Sequence, residues 1–213
     1  AAEAIEARAA PRPAFGVIIG TGLGAFEEEV DAEVRLPYAE VLRRRLTGPL
    51  GMESAYRHCD VFGIEHPWSL AVRSNVAVFL RRAGELDASR RLAGDLVGRL
   101  TAAVGPHHPY TLQCSIVAAN ARFACGEHEA ALEVERLVYD RMALVFGDTH
   151  PERLVAGCNL AASRYAVGDT TGLGEFRAAL TSTATRVLGR DHPMTVIIKA
   201  GERGDCDIDL SQF

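Results

Sequence analysis

The chain has 213 residues, 48% of them hydrophobic, and a formal net charge of −5 at pH 7. Such a hydrophobic share supports one sizeable core, or one repeat array with a small appendage. The acidic balance argues against a nucleic-acid or anionic-membrane surface, since both require a basic patch, and no apolar run reaches the ~18 residues that span a bilayer.

The first ten residues carry Glu3 and Glu6 and no apolar signal core, so no secretory signal is read there. Phe15-Gly16-Val17-Ile18-Ile19-Gly20-Thr21-Gly22-Leu23-Gly24 reads as an apolar strand entering a glycine-rich turn. Glycines at such a turn let backbone N–H groups approach a phosphate closely. Taken as Gly20-x-Gly22-x-x-Ala25, with Glu40 further on, the turn fits a dinucleotide fingerprint. The acidic run 27–29 and Pro37 leave little room for the strand–helix–strand unit that fingerprint needs. Residues 14–41, which continue to Val34-Arg35-Leu36-Pro37-Tyr38, resemble the first strand and phosphate loop of purine nucleoside phosphorylases. That resemblance implies phosphate binding at Gly20, Thr21 and Gly22, with the Thr21 hydroxyl between the glycines. The rest of the phosphorylase α/β domain is not recognisable after residue 41. Residues 1–51 are therefore expected to form a short irregular or β-containing segment, for instance a hairpin of 15–19 with 33–36.

From residue 52 a repeat takes over. His-Pro occurs at His66-Pro67, His108-Pro109, His150-Pro151 and His192-Pro193, each 42 residues after the last. Before the pairs stand Phe62-Gly63, Val104-Gly105, Phe146-Gly147 and Leu188-Gly189. Behind the first three His residues come Gly84, Gly126 and Gly168, each followed by an acid. Glycine in front of each His-Pro fits a left-handed residue closing a helix. Proline fits the first helical position, where its missing N–H costs nothing, and biases the preceding His away from helix. The central Gly-acid pair marks a tight turn. Each unit is thus helix A, turn, helix B: 67–82 with 86–103, 109–124 with 128–145, and 151–166 with 170–188. A fourth helix A starts at Pro193. The apolar residues Leu92, Leu96 and Leu100 recur at helical steps, and stacked pairs bury the face that a lone pair cannot.

His66-Pro67-Trp68-Ser69-Leu70 with Asn75-Val76-Ala77, and His150-Pro151-Glu152-Arg153-Leu154 with Asn159-Leu160-Ala161, resemble the 42-residue tetratricopeptide repeats of kinesin light chains. The middle unit departs, with Val117 where the Asn belongs. The resemblance implies an all-α helical-hairpin solenoid over 52–203 whose helix A face binds another protein or a peptide. It implicates Asn75 and Asn159 in holding a peptide backbone, and Arg73 on the same helix can meet a carboxylate. HEAT and armadillo units have similar lengths but predict no in-phase Gly-acid turn. Gly204-Asp205-Cys206-Asp207-Ile208-Asp209 is similar to the tail of actinobacterial tetratricopeptide proteins associated with FxSxx-COOH peptide systems. Residues 204–213 form that tail, expected to cap the last helix or to hang free.

Cys59, Cys114, Cys125, Cys158 and Cys206 form no C-x-x-C pair and are odd in number, which points to reduced thiols and the cytoplasm. The repeat histidines lie one repeat apart, so no metal or other cofactor is expected; they are expected to hydrogen-bond helix ends. No nucleophile has a base and an orienting partner in the repeat frame. The reading is a non-catalytic scaffold for a protein or peptide partner, without nucleic acid or membrane. The alternative is a phosphate- or nucleoside-binding enzyme fragment acting through Gly20, Thr21 and Gly22. Self-association through the ends of the solenoid is a third reading.

Overall fold

The structure, a computed structural model, describes residues 59–205. The expectations for Gly20, Thr21 and Gly22, for the 15–19/33–36 hairpin and for the end of the tail fall outside them. After a helical end at 59–62 come seven helices among the described residues. They are α1 (Pro67–Arg82), α2 (Leu86–Val104), α3 (Pro109–Ala124), α4 (His128–Phe146), α5 (Pro151–Ala166), α6 (Leu173–Leu188) and α7 (Pro193–Ala200). The architecture is an all-α stack of helical hairpins, as the 42-residue period predicts.

The period has a local cause at each helix A. Proline occupies the first helical turn of α1, α3, α5 and α7, and the preceding histidine is the N-cap in extended conformation. Its Nδ1 accepts the backbone N–H two residues on: Trp68 at 3.2 Å, Tyr110 at 3.2 Å, Glu152 at 3.3 Å and Met194 at 3.2 Å. An imidazole thus does the work usually given to Ser or Asp, satisfying one of the orphan donors of the first turn. The aromatic residue before the glycine packs on this cap in two units: Phe62 stacks on His66 with centroids 5.2 Å apart, and Phe146 on His150 at 4.5 Å.

Two details differ from the sequence reading, and a third completes it. The glycines that end the B helices have positive φ, but Gly105, Gly147 and Gly189 have ψ of 163°, 169° and 159°. This is not the left-handed helical region but one open essentially to glycine alone. Second, α6 begins at Leu173, three residues later than expected. Thr170 and Thr171 are β-branched, and Gly172 is left-handed at φ 63°, so the chain makes an extra turn first. Third, α7 has only eight residues, because Gly201 at φ 70° and ψ 23° stops it and accepts no continuation.

Each helix packs on the next, and the A helices α1, α3, α5 and α7 also pack side by side. The core is correspondingly continuous between units. Leu70, Leu96, Leu100 and Tyr110 join the first unit to the second. Leu112, Ile116, Met142 and Val155 join the second to the third, and Leu154, Leu180 and Ile198 carry it to α7. Cys114 and Cys158 are buried free thiols in this core, and burial pushes the Cys114 thiol up to about 12. No helix among the described residues is long and apolar enough to cross a membrane.

Candidate functional site

The side-by-side A helices carry one row of residues in phase. Arg81, Phe123 and Tyr165 each stand 15 residues after their cap histidine. Across this row runs the chain's own segment 201–205. Gly201 turns it off α7, where a Cβ would collide with the Arg177 guanidinium, and residues 203–205 then cross α5, α3 and α1 in turn.

Asn159, fully buried on α5, grips the backbone of Gly204 from both sides. Its Oδ1 accepts the Gly204 N–H at 2.8 Å, and its Nδ2 donates to the Gly204 carbonyl at 2.9 Å. Asn120 on α3 donates to the same carbonyl at 2.8 Å. Asn159 Nδ2 also reaches Asn120 Oδ1 at 3.2 Å, which aligns the two amides. Two side-chain amides here take the place of a neighbouring strand, so the buried peptide groups of Gly204 do not go unpaired.

On one side of this clamp lies Arg203. Its guanidinium sits 4.0 Å from the centroid of the Phe123 ring. It donates to Asn120 Oδ1 at 3.0 Å, to the Asn159 carbonyl at 3.2 Å and to Ser163 Oγ at 2.9 Å, and it pairs with the Glu135 carboxylate. Glu135 is completely buried on α4. Burial pushes its carboxyl up, and the Arg203 charge pulls against that shift. On the other side lies Asp205. Arg81 donates to both of its oxygens at 2.7 Å, Arg82 to one at 2.9 Å, and Asn120 Nδ2 to the other at 3.0 Å. A cleft of about 290 Å³ opens beside Arg203, lined by Phe123, Tyr165 and Arg177 among others.

Of the residues singled out in the sequence, Asn159 lies at the centre of this arrangement. Asn75 is half-buried on α1, at the position that matches Asn159. Arg73, two residues earlier on α1, is half-buried, with Nη1 shielded from solvent and without a hydrogen-bond partner among the described residues. Val117, which stands where the pattern has Asn, is buried in an apolar cluster. Asn120, one turn along α3, supplies the amide instead. Asn120, Glu135 and Arg203 escaped the sequence reading, whereas Arg81 and Arg82 are visible in it only as one of several arginine-rich islands. For Asn120 the signal was an Asn displaced by three residues from the repeat frame. For Glu135 it was a carboxylate standing where the first unit has Ala93.

Residues 69–110 match the family model described as Tetratricopeptide repeat. The fold is a tetratricopeptide repeat array. Two solved structures of the Podosopora anserina kinesin light chain nearly identical TPR-like repeats share it. One of the two, a variant form, matches with a TM-score of 0.59 and the other with 0.58. Each is 21% identical, over 76% of this chain and 80% of the other. No curated protein matches the chain in sequence. At that identity the likeness of the array to the two structures concerns the fold.

Proposed function

We propose that the array is a scaffold, not an enzyme, and that it binds a segment of another protein across the face of its A helices. The observation that carries this reading is the pair of amides, Asn159 and Asn120, saturating the N–H and C=O of one non-helical residue. Such a grip addresses backbone, which every polypeptide offers. The flanking Phe123, Arg81 and Arg82 then add side-chain preference. The matched family consists of repeats that generally bind proteins, which agrees with this use of the face.

The test is a pull-down from an actinobacterial lysate with the full chain and with its Asn159→Ala variant, after circular dichroism has shown both to be equally helical. A partner retained by the first and lost by the second is the expected result. Equal capture by both would remove the face from consideration.

A further inference from the structure

We infer that this face reads a cation–glycine–carboxylate signature, and that Arg203-Gly204-Asp205 is a resident copy which a partner segment of the same chemistry displaces. The inference deepens the scaffold reading and rests on it.

Three adjoining subsites carry it. The cation subsite is a planar ring below and a fan of acceptors around. Asn120 Oδ1, the Asn159 carbonyl, Ser163 Oγ and Glu135 Oε1 converge on one guanidinium stacked on Phe123. That geometry suits the forked donors of arginine better than the point charge of lysine. Glu135 is the telling member. A carboxylate wholly shielded from solvent is a cost to any helix stack unless a cation meets it, and its Oε2 has no hydrogen-bond partner even with Arg203 in place. The stacking of helices does not call for a charge there, since the first unit places Ala93 at the same point of the repeat.

The glycine subsite is defined by space. Gly204 is buried, and a Cβ on it would lie 2.7 Å from Val155 Cγ1. Val155 is itself buried on α5, and a β-branched side chain in a helix has little freedom to swing aside. Any larger residue therefore loses the two-sided grip of Asn159. The carboxylate subsite is Arg81 with Arg82, two adjacent guanidinium groups at the end of α1 that meet one Asp205 side chain of low exposure. Cation and anion subsites lie on opposite sides of the clamp, so they fix the direction in which a segment lies as well as its composition.

The occupant is thus a segment with arginine, glycine and an acidic residue in succession. The resident copy competes at the high effective concentration of an attached ligand, so a free peptide binds only once the copy has left. Gly204→Leu in the full chain expels it by collision with Val155 and leaves every residue of the face intact. Asp205→Lys does so by repulsion from Arg81 and Arg82, and serves if the first variant loses helicity. Tryptic cleavage after Arg203 reports release.

The probe is a fluorescein-labelled peptide with the sequence of residues 201–213 and serine in place of Cys206, followed by anisotropy. The released variant is expected to bind it at least tenfold more tightly than the unaltered chain does. Peptides carrying Arg203→Ala, Gly204→Val or Asp205→Ala are each expected to bind the released variant at least tenfold more weakly. A scrambled peptide that binds equally well, or no binding despite rapid cleavage after Arg203, overturns the inference. The pull-down fails separately. Asn159-dependent capture there without signature dependence here sinks this inference and leaves the scaffold. Signature-dependent peptide binding here with Asn159-independent capture there sinks the scaffold reading.

Discussion

Glu135 and Arg203, 68 residues apart in sequence, form an ion pair whose carboxylate is fully buried and whose guanidinium is partly so. Such a pair contributes little by its attraction alone, because both ions lose hydration on burial. Losing one partner is the expensive event, on the order of 3 kcal/mol, since a charge is then left without its counterion. Arg203→Met is accordingly expected to lower stability by about that amount, and the double variant with Glu135→Met to recover most of it. Urea unfolding of the two variants and the unaltered chain measures this. Equal stability of single and double variants would mean that Glu135 carries no penalty when its partner leaves.

The histidine caps make the array sensitive to acid. His108 Nδ1 and His150 Nδ1 accept backbone N–H groups, and an imidazolium, which donates from both nitrogens, cannot accept. Burial lowers both histidines from their ordinary value of 6.5. The folded values thus lie below the unfolded one, and between the two the unfolded chain holds more protons. Stability is then complete above about pH 6.5 and is lost as the pH falls through the folded values. Glu135 acts with the opposite sign, since burial raises its folded value and the fold gains from its protonation. A variant isolates the caps. His108→Asn with His150→Asn keeps an acceptor that does not titrate, each cap being worth about 1 kcal/mol. Between about pH 7.5 and about pH 5.5 the unaltered chain is expected to lose more stability than this variant. Parallel losses in denaturant titrations would show that the imidazoles do not set the acid response.

Glycines of this chain are not equivalent, and two of them test the backbone reading. Gly105 ends α2 at φ 91° and ψ 163°, where an L side chain is strained whatever space surrounds it. Gly105→Ala is expected to destabilise by about 1–3 kcal/mol. Gly98 lies exposed within α2 with nothing near the position of a Cβ. Gly98→Ala is expected to stabilise by about 0.5–1 kcal/mol, because alanine restricts the unfolded chain and favours helix. Thermal melts of both variants decide, and a same-signed shift in the pair would contradict the assignment.

Those glycines also mark what the sequence discloses. The helix boundaries are legible because proline, histidine and glycine act locally, so their spacing in the sequence is their spacing in space. Asn159 is singled out by the resemblance of its unit to kinesin light chain repeats, and not by spacing alone. The contacts of Glu135, Arg81 and Asp205 are not local. They depend on how far each A helix is turned relative to its neighbour and on where α7 stops, and neither has a period. The end of α7 at Gly201 was visible as a glycine, but glycine after a helix does not say where the chain goes next. Thr170 and Thr171 delayed α6 for a reason that lay in plain sight, their poor fit in a first helical turn, yet the repeat frame argued the other way.

Cys158 offers a direct measure of whether residues 201–205 hold their place. Its thiol donates to the Glu202 carbonyl at 3.2 Å and is almost wholly buried, and burial raises it from its ordinary value. The residues above it belong to the returning segment, so release of that segment bares the sulfur without unfolding α5. Cys114 is the control. It lies at the interface of α2 and α3, away from the segment, with its Sγ directed at the Ala93 carbonyl. In mildly alkaline buffer, iodoacetamide is expected to modify Cys158 in Gly204→Leu or Asp205→Lys at least tenfold faster than in the unaltered chain, because access limits a shielded thiol. Cys114 is expected to stay unmodified in all three until urea unfolds the array. Peptide mapping by mass spectrometry separates the two sites. Should Cys114 and Cys158 react together, the segment and the helices open as one unit, and residues 201–205 would be part of the fold's cooperative core instead of a displaceable occupant.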